Sequence, residues 1–153
     1  MSIIYGNSIT VDEVNVIRKS MGWRQMHPGQ MQANIDGYSK IVAAYDGDVA
    51  VGMAGLIWPG GSFSYMHVVL NPLYQNKGIE AEFVERVFEF LRPKLMPGYG
   101  IQVDIVVQSG KEAVYEGLGF GLSTSDNSGI PMRICLTNQI ELTDKMFKQM
   151  GFR

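Results

Sequence analysis

The sequence predicts an α/β or α+β domain built around a mixed β-sheet. Segments with helical period alternate with β-like segments along the chain, which is the order typical of that class. Asp46-Gly47 lies between two β-like runs and marks a tight hairpin. An apolar fraction of 46% with 18% charged residues is that of a globular protein, and 153 residues suffice for one core. We therefore predict a single domain over residues 1–153.

Two helices are predicted first. Thr10 and Glu13 form a Thr-x-x-Glu capping box, and apolar residues then recur on one helical face as far as Met21. Pro28 suits the first position of a helix, so PGQMQANIDG predicts a second, short helix. The chain therefore starts with two short helices before any predicted strand.

Three β-like segments then predict an antiparallel meander. KIVAAYDGDVAVGMAGLIW contains two of them, joined by a type I′ turn at Asp46-Gly47. PGGS forms a second turn, and FSYMHVVL reads as the third strand.

The period of the apolar pattern changes after this meander. Apolar residues of positions 79–91 fall on one helical face, and Pro93 ends that helix. Beyond it, IQVDIVV predicts a short strand, KEAVYEGLGF a short helix and IPMRICL a late strand.

The composition argues against several classes of function. A net charge of −2 without a basic cluster argues against nucleic acid as the main partner. No apolar run approaches the ~20 residues of a membrane span, and the N-terminus does not resemble a secretion signal. The single cysteine, Cys135, cannot form an internal disulfide, so we expect a buried thiol in a reducing cytoplasm.

One connection suits an anion. NPLYQNKGIEAEF joins a predicted strand to a predicted helix through a loop with a lysine and a glycine, and free N–H groups at a helix start attract phosphate. The run VVLNPLYQNKGIE is followed about thirty residues later by AVYEGLGF. Together, these two blocks resemble the acetyl-CoA-binding core of the GCN5-related N-acetyltransferases. That family has an aliphatic-x-Pro-x-Tyr strand end, a Gln/Arg-x-x-Gly-x-Gly/Ala loop and a Tyr-Glu-x-Leu-Gly-Phe signature. The resemblance covers roughly residues 3–136, and we predict a helical extension at 137–153.

The resemblance implies both a fold and an activity. The fold would be a mixed, mostly antiparallel central sheet with helices on both faces. The activity would be N-acetyltransfer, directly from acetyl-CoA to an amine of a small molecule or peptide, without a metal. The resemblance also implies a homodimer, since relatives often dimerise through late strands. The alternative is a catalytically idle domain of the same fold that binds or senses acyl-CoA.

The resemblance also assigns roles to particular residues. Leu70 would supply the oxyanion N–H, and Tyr115 would be the general acid for the thiolate, unless it is only a packing residue. Gln108 stands where many relatives carry a cofactor-binding asparagine. The full set of implied cofactor contacts is Val68, Val69, Leu70, Gln75, Asn76, Lys77, Gly78, Ile79, Glu80, Gln108 and Tyr115.

Glu80 is the main departure from the family pattern, which has a small residue there. A carboxylate that points at the phosphates would repel them, whereas one that turns outward would support the helix dipole. We expect Glu80 to turn outward. Lys77 is either a charge at the rim of the loop or a solvated surface residue.

The general base is the least determined part of the predicted site. Relatives carry a base at positions matching Ser64 or Met66, and neither residue can take a proton near neutrality. Histidine is the residue type that titrates near neutrality, so His67 is a candidate base. However, the alternation of the strand places His67 on the other face, and we favour its interpretation as a hydrogen-bonded core histidine. Asp104, Glu13 and water are further candidates.

An acceptor pocket is expected between the early helices and the sheet. The ten methionines of the chain suit a pliable apolar wall. The predicted wall residues are Trp23, His27, Met53, Trp58 and Met66.

Overall fold

The computed structural model describes residues 2–121 and 131–136. The chain divides into two units, Met1–Val106 and Val107–Arg153. The described part of the first unit contains a five-stranded sheet and three α-helices, and that of the second contains one short helix. The predicted helix at 137–153 lies outside the described residues. That the chain forms a single domain stays a prediction.

The sheet is mixed and mostly antiparallel, as predicted. The strands lie side by side in chain order, the first four antiparallel and the last parallel to the fourth. They are β1 (Ile3–Gly6), β2 (Lys40–Asp46), β3 (Val49–Ile57), β4 (Phe63–Leu70) and β5 (Gln102–Ile105). The predicted meander is confirmed as β2 to β4. The strand β1 is not predicted from the sequence, because four residues are too few to establish a period of two.

The hairpin between β2 and β3 has a different turn from the predicted one. Asp46 pairs with Val49, so the two turn residues are Gly47 and Asp48. Of these two, only Gly47 has a positive φ, at 60°. A glycine at the first central position fits a type II′ turn, whereas type I′ needs a positive φ at both positions. The hairpin is therefore confirmed, and its predicted turn type and position are wrong.

The helices begin where their sequence signals indicate. They are α1 (Val11–Ser20), α2 (Pro28–Gly37), α3 (Ile79–Leu91) and α4 (Glu112–Glu116). Thr10 and Glu13 make both bonds of the predicted capping box at the start of α1. Pro28 is the first residue of α2, as its fixed φ favours.

Helices cover both faces of the sheet, which confirms the predicted architecture. On one face, α1 and α2 pack on the middle strands. The core there consists of Ile9, Val14, Ile17, Met31, Ala43, Ala50, Met53 and Val69. On the opposite face, Gly52 pairs with Leu70, and a Cβ atom on Gly52 would lie 3.1 Å from the ring of Phe83 in α3. Gly52 thus allows α3 to approach the sheet closely.

The end of the described chain differs from the prediction. Residues 131–136 of the predicted late strand IPMRICL are neither strand nor helix, and Met132 and Ile134 are 94% and 80% exposed. Cys135 is partly buried rather than buried. An apolar β-like run becomes a strand only where a neighbouring strand takes up its backbone hydrogen bonds, and the sequence pattern does not supply that neighbour.

Candidate functional site

The edge of β4 that faces β5 is paired over only half of its length. The parallel pairs run from Phe63 with Gln102 to Met66 with Ile105, where β5 ends. β4 continues to Leu70, so its last residues extend beyond β5. Antiparallel pairs with β3 continue over that half without a break. At the end of β4, the edge that faces β3 is therefore paired, whereas the edge on the β5 side extends beyond the last residue of β5.

The backbone groups of Val68 and Leu70 point to that second edge. The Ser62 carbonyl accepts a hydrogen bond from the Gln102 N–H at 2.7 Å, so position 62 directs its polar groups toward β5. The Asn71 N–H, nine residues on, donates to a β3 carbonyl at 2.8 Å on the opposite side. Because successive residues of a strand alternate, even-numbered positions of β4 face the β5 side. Val68 and Leu70 thus present an N–H and a C=O each beyond the last β5 pair.

A loop with its own local hydrogen bonds connects β4 to α3. The Asn71 side chain accepts a bond from the Leu73 N–H at 3.0 Å, and a short 3-10 turn covers Pro72–Tyr74. Asn76 then takes a positive φ of 60°, which asparagine tolerates better than most residues. The loop therefore reverses direction through a defined backbone path.

The start of α3 carries no cap from a side chain. Gly78 is the N-cap residue with a φ of 82°, and no side chain among the described residues bonds the first turn. The first bond of the helix runs from the Glu82 N–H to the Gly78 carbonyl at 3.1 Å. The N–H groups from Gly78 to Ala81 thus have no intrahelical acceptor, and the helix dipole adds positive potential there. This arrangement can bind an anion through the backbone alone.

The strand side chains near this edge offer no carboxylate. The Ser64 hydroxyl donates to the Gln102 carbonyl at 2.9 Å, and Met66 is fully buried. His67 lies on the α1 and α2 face, as alternation predicts, with its Nδ1 atom 3.3 Å from the Tyr38 hydroxyl. Burial, and next the charge of a neighbouring tyrosine, raise the pKa of Tyr38 to about 12, so Tyr38 keeps its proton at neutral pH.

The other two candidate bases have structural partners. Glu13 accepts bonds from the N–H and the hydroxyl of Thr10, both at 3.0 Å, and from the Tyr45 hydroxyl at 3.1 Å. Asp104 is exposed and accepts a bond from the Gln102 side chain at 2.8 Å. Glu13 therefore serves the cap of α1.

The second unit contains Tyr115 and Gln108. Tyr115 lies in α4, is 7% exposed and makes an edge-to-face contact with Phe120 at 5.9 Å between ring centroids. The Gln108 carbonyl accepts a bond from the Lys111 N–H at 3.0 Å. The catalytic role of Tyr115 and the cofactor contact of Gln108 stay predictions.

Solved structures resemble this arrangement. A Staphylococcus aureus protein described as a probable acetyltransferase superposes with a TM-score of 0.75 at 16% identity, over 87% of this chain and 100% of the other. An acetyltransferase of the GNAT family from Streptococcus pneumoniae gives 0.64 at 21% identity, over 90% and 98%. The ribosomal-protein-S18-alanine N-acetyltransferase of Escherichia coli gives 0.60 at 16% identity, over 78% of each chain.

The chain has the fold of the GCN5-related N-acetyltransferases. At these identities, the likeness establishes the fold alone. No protein-family model matches the sequence. No curated protein matches it either.

Glu80 departs from the GNAT pattern in an unexpected way. Its side chain is only 6% exposed, so it does not turn out into solvent as expected. No donor among the described residues bonds its carboxylate. Burial raises the pKa of the Tyr5 phenol, and the Glu82 and Glu80 carboxylates raise it further, which places Glu80 near β1. Glu80 shares a helix face with Phe83, three residues on, and this spacing was the sequence signal for its burial.

The remaining loop residues divide by exposure. Ile79 is buried at 1% and anchors the start of α3, whereas Asn76, Lys77 and Gly78 are exposed. The Lys77 ammonium lies 6.0 Å from the centroid of the Tyr74 ring. This distance is at the outer limit of a cation–π contact, and the role of the exposed Lys77 as a charge at the rim stays a prediction.

The five predicted wall residues do not all lie on one face of the sheet. Met53 and Met66 are fully buried on opposite faces of the sheet. Trp23 packs against the core under α1, and the His27 side chain accepts a bond from the Gly29 N–H at 3.1 Å, as the N-cap of α2. The Trp58 ring instead makes an edge-to-face contact with the Phe90 ring of α3, with 6.2 Å between the ring centroids. Residue type alone could not say which face of the sheet each side chain takes.

Within residues 2–121 and 131–136, no group of three or more His, Cys, Asp or Glu side chains is placed to hold a metal ion. In the same part of the chain, no helix combines the length and the apolarity that crossing a membrane requires.

Proposed function

We propose that the chain is an N-acetyltransferase that moves the acetyl group of acetyl-CoA directly to an amine of a small molecule or peptide. One observation carries the proposal. The end of β4 extends beyond β5 with its backbone groups at the edge, and it leads directly into the uncapped start of α3. A strand edge and a helix start in this order provide separate sites for the amide-rich arm and the pyrophosphate of one cofactor.

The cofactor contacts of the proposal come from the first unit. The pyrophosphate would accept bonds from the N–H groups of Gly78 to Ala81, where no side chain of residues 2–121 or 131–136 competes. The pantetheine amides would pair with the backbone of β4 at Val68 and Leu70, and the predicted backbone contact of Val69 is dropped because its polar groups face β3. The Leu70 N–H would then donate to the thioester oxygen, on which negative charge develops during attack.

The reaction needs two proton transfers. The amine nitrogen attacks the thioester carbon, and the tetrahedral intermediate then breaks its C–S bond. Tyr115 would give its proton to the departing thiolate, since a phenol is protonated at neutral pH. The proton of the amine would leave through water or through His67, because Ser64 and Met66 offer no base. We place this activity in the cytoplasm, in a homodimer.

A specific observation favours a second candidate function. Glu80 puts a negative charge in the first turn of α3, where the pyrophosphate would bind. Together with the lack of a carboxylate on β4, this supports a domain that binds acyl-CoA weakly and does not turn it over.

Calorimetry and a turnover screen test both candidates. Acetyl-CoA is titrated into the full chain, with S-acetylpantetheine as a matched ligand that lacks the pyrophosphate. We expect acetyl-CoA to bind more tightly, and thiol release to appear with at least one amine of a broad panel. Binding without turnover across the panel would favour the sensing domain, and no binding of acetyl-CoA would reject both candidates. Sedimentation that shows only a monomer would reject the homodimer.

A further inference from the structure

The loop between β4 and α3 is held to the sheet by one side chain. The Tyr74 hydroxyl donates a hydrogen bond to Oδ2 of Asp46 at 2.7 Å, across 28 residues of sequence. Among the described residues, this is the one hydrogen bond that joins positions 72–78 to a different strand or helix. The other bonds of these positions lie within the loop or begin α3.

Asp46 is a firm point of attachment. It is the last residue of β2 and pairs with Ile3 on one side and with Val49 on the other. Its carboxylate accepts a short bond from a hydroxyl, which is the stronger, charge-assisted kind. The same bond is the main cause of a raised pKa of Tyr74, so the phenol stays a donor at neutral pH.

Tyr74 also places its ring close to the charged side chain of Lys77 at the rim of the loop. Its ring lies under the Lys77 ammonium, with 6.0 Å between Nζ and the ring centroid. Its N–H bonds the Asn71 carbonyl at 2.9 Å and closes the turn that starts the loop. A ring fixed by Asp46 therefore restrains the backbone path before Gly78 and the cation beside it.

We propose that Tyr74 and Asp46 are positioning residues that hold the loop in the conformation in which it binds the cofactor phosphates. The inference rests on the proposed acetyl-CoA binding. Neither side chain needs to touch the ligand. Their bond reduces the freedom that the loop would lose on binding, and such pre-organisation increases affinity without a new contact.

Substitutions that remove single atoms test this role. Tyr74→Phe keeps the ring and its contact with Lys77 but loses the hydroxyl. We expect it to weaken acetyl-CoA binding and to raise KM by about 3- to 10-fold, with kcat at saturating acetyl-CoA nearly unchanged. Asp46→Ala should weaken acetyl-CoA binding by the same factor as Tyr74→Phe. Asp46→Asn keeps an acceptor oxygen, so its affinity for acetyl-CoA should lie between those of Asp46→Ala and the unmodified chain. The double variant Asp46→Ala with Tyr74→Phe should be no weaker than either single change, because both remove the same bond.

A nearby carboxylate provides the control. Asp48 is exposed in the same turn, so Asp48→Asn should leave the affinity unchanged. Hydrogen exchange of the ligand-free chain gives an independent measurement, because Tyr74→Phe should speed exchange of the amides at 75–81. If the unmodified chain does not bind acetyl-CoA, the proposed function fails and the inference with it. If that chain binds and Tyr74→Phe binds equally well, or loses only stability, the inference alone is overturned.

Discussion

The helices α1 and α3 begin in opposite ways. At α1, the Thr10 side chain accepts the Glu13 N–H at 3.2 Å, and the Glu13 carboxylate accepts the Thr10 N–H at 3.0 Å. At α3, the N-cap is Gly78, and the part of the chain that the structure describes places no side-chain bond on the first turn. Both helices pack on the central strands of the same sheet.

The difference separates a structural helix start from one that can bind a ligand. The first-turn N–H groups of any helix need acceptors, and a chain that supplies them from its own side chains gains stability. A helix whose first-turn N–H groups have no side-chain acceptor lacks this stabilisation, but those N–H groups remain able to bind an anion. We therefore expect changes at the start of α1 to alter stability and changes at the start of α3 to alter binding.

Tyr115→Phe should have the largest effect, and it tests whether binding and chemistry lie on separate elements. We expect turnover to fall by about 10- to 1000-fold while acetyl-CoA affinity stays nearly constant, as the loss of a general acid requires. The ring contact with Phe120 remains in the variant. Tyr99→Phe, at a residue that is 82% exposed, is the matched control and should change neither quantity. An unchanged rate would remove Tyr115 from the mechanism, provided that chemistry limits turnover.

Gly78→Ala tests the start of α3 directly. A Cβ atom at a φ of 82° costs about 1–2 kcal/mol and shifts the loop backbone, so we expect acetyl-CoA affinity to fall about 10-fold. Gly22 follows α1 with a φ of 74°, and a Cβ atom at either glycine meets nothing within 4 Å. Gly22→Ala thus carries the same strain and should lower stability alone. Equal losses of affinity in the two variants would contradict the comparison.

Glu80→Gln measures how far the α3 site is weakened by its own carboxylate. Because Glu80 is 6% exposed, removing its charge should strengthen acetyl-CoA binding by about fivefold, a gain of about 1 kcal/mol that shrinks as salt is added. Glu82 lies in the same turn, but it is half-exposed and paired with Arg86 at 2.7 Å. Glu82→Gln should therefore change affinity less. An affinity that Glu80→Gln leaves unchanged would show that the carboxylate does not act on the phosphates.

Thr10→Ala should have the smallest effect and should change stability only. Loss of the cap of α1 is expected to lower the free energy of unfolding by about 1 kcal/mol. Acetyl-CoA affinity should stay constant, and Thr10→Ser, which keeps a hydroxyl, should restore most of the stability. Denaturant unfolding and calorimetry on the same samples measure both quantities. A loss of affinity on Thr10→Ala would mean that the two helix starts are not independent.

Local sequence signals were sufficient for most of the elements. The capping box of α1, the proline at the start of α2 and the apolar face of α3 each act within a few residues, so their pattern is visible in the chain itself. The strand β1 and residues 131–136 show the opposite case. A strand needs a partner from elsewhere in the chain, and a short apolar run contains no information about whether that partner is present.

The sequence by itself determined the helices, the meander and the loop with Gly78 that opens α3, because helix caps, turns and periodicity depend on neighbours along the chain. Only the tertiary structure decided that β5 stops at Ile105, four residues before the end of β4. It also decided that Glu80 is buried and that Tyr74 bonds Asp46, 28 residues away. Those features arise when segments distant in sequence pack together, and the energy of such contacts depends on which face and which register the fold selects.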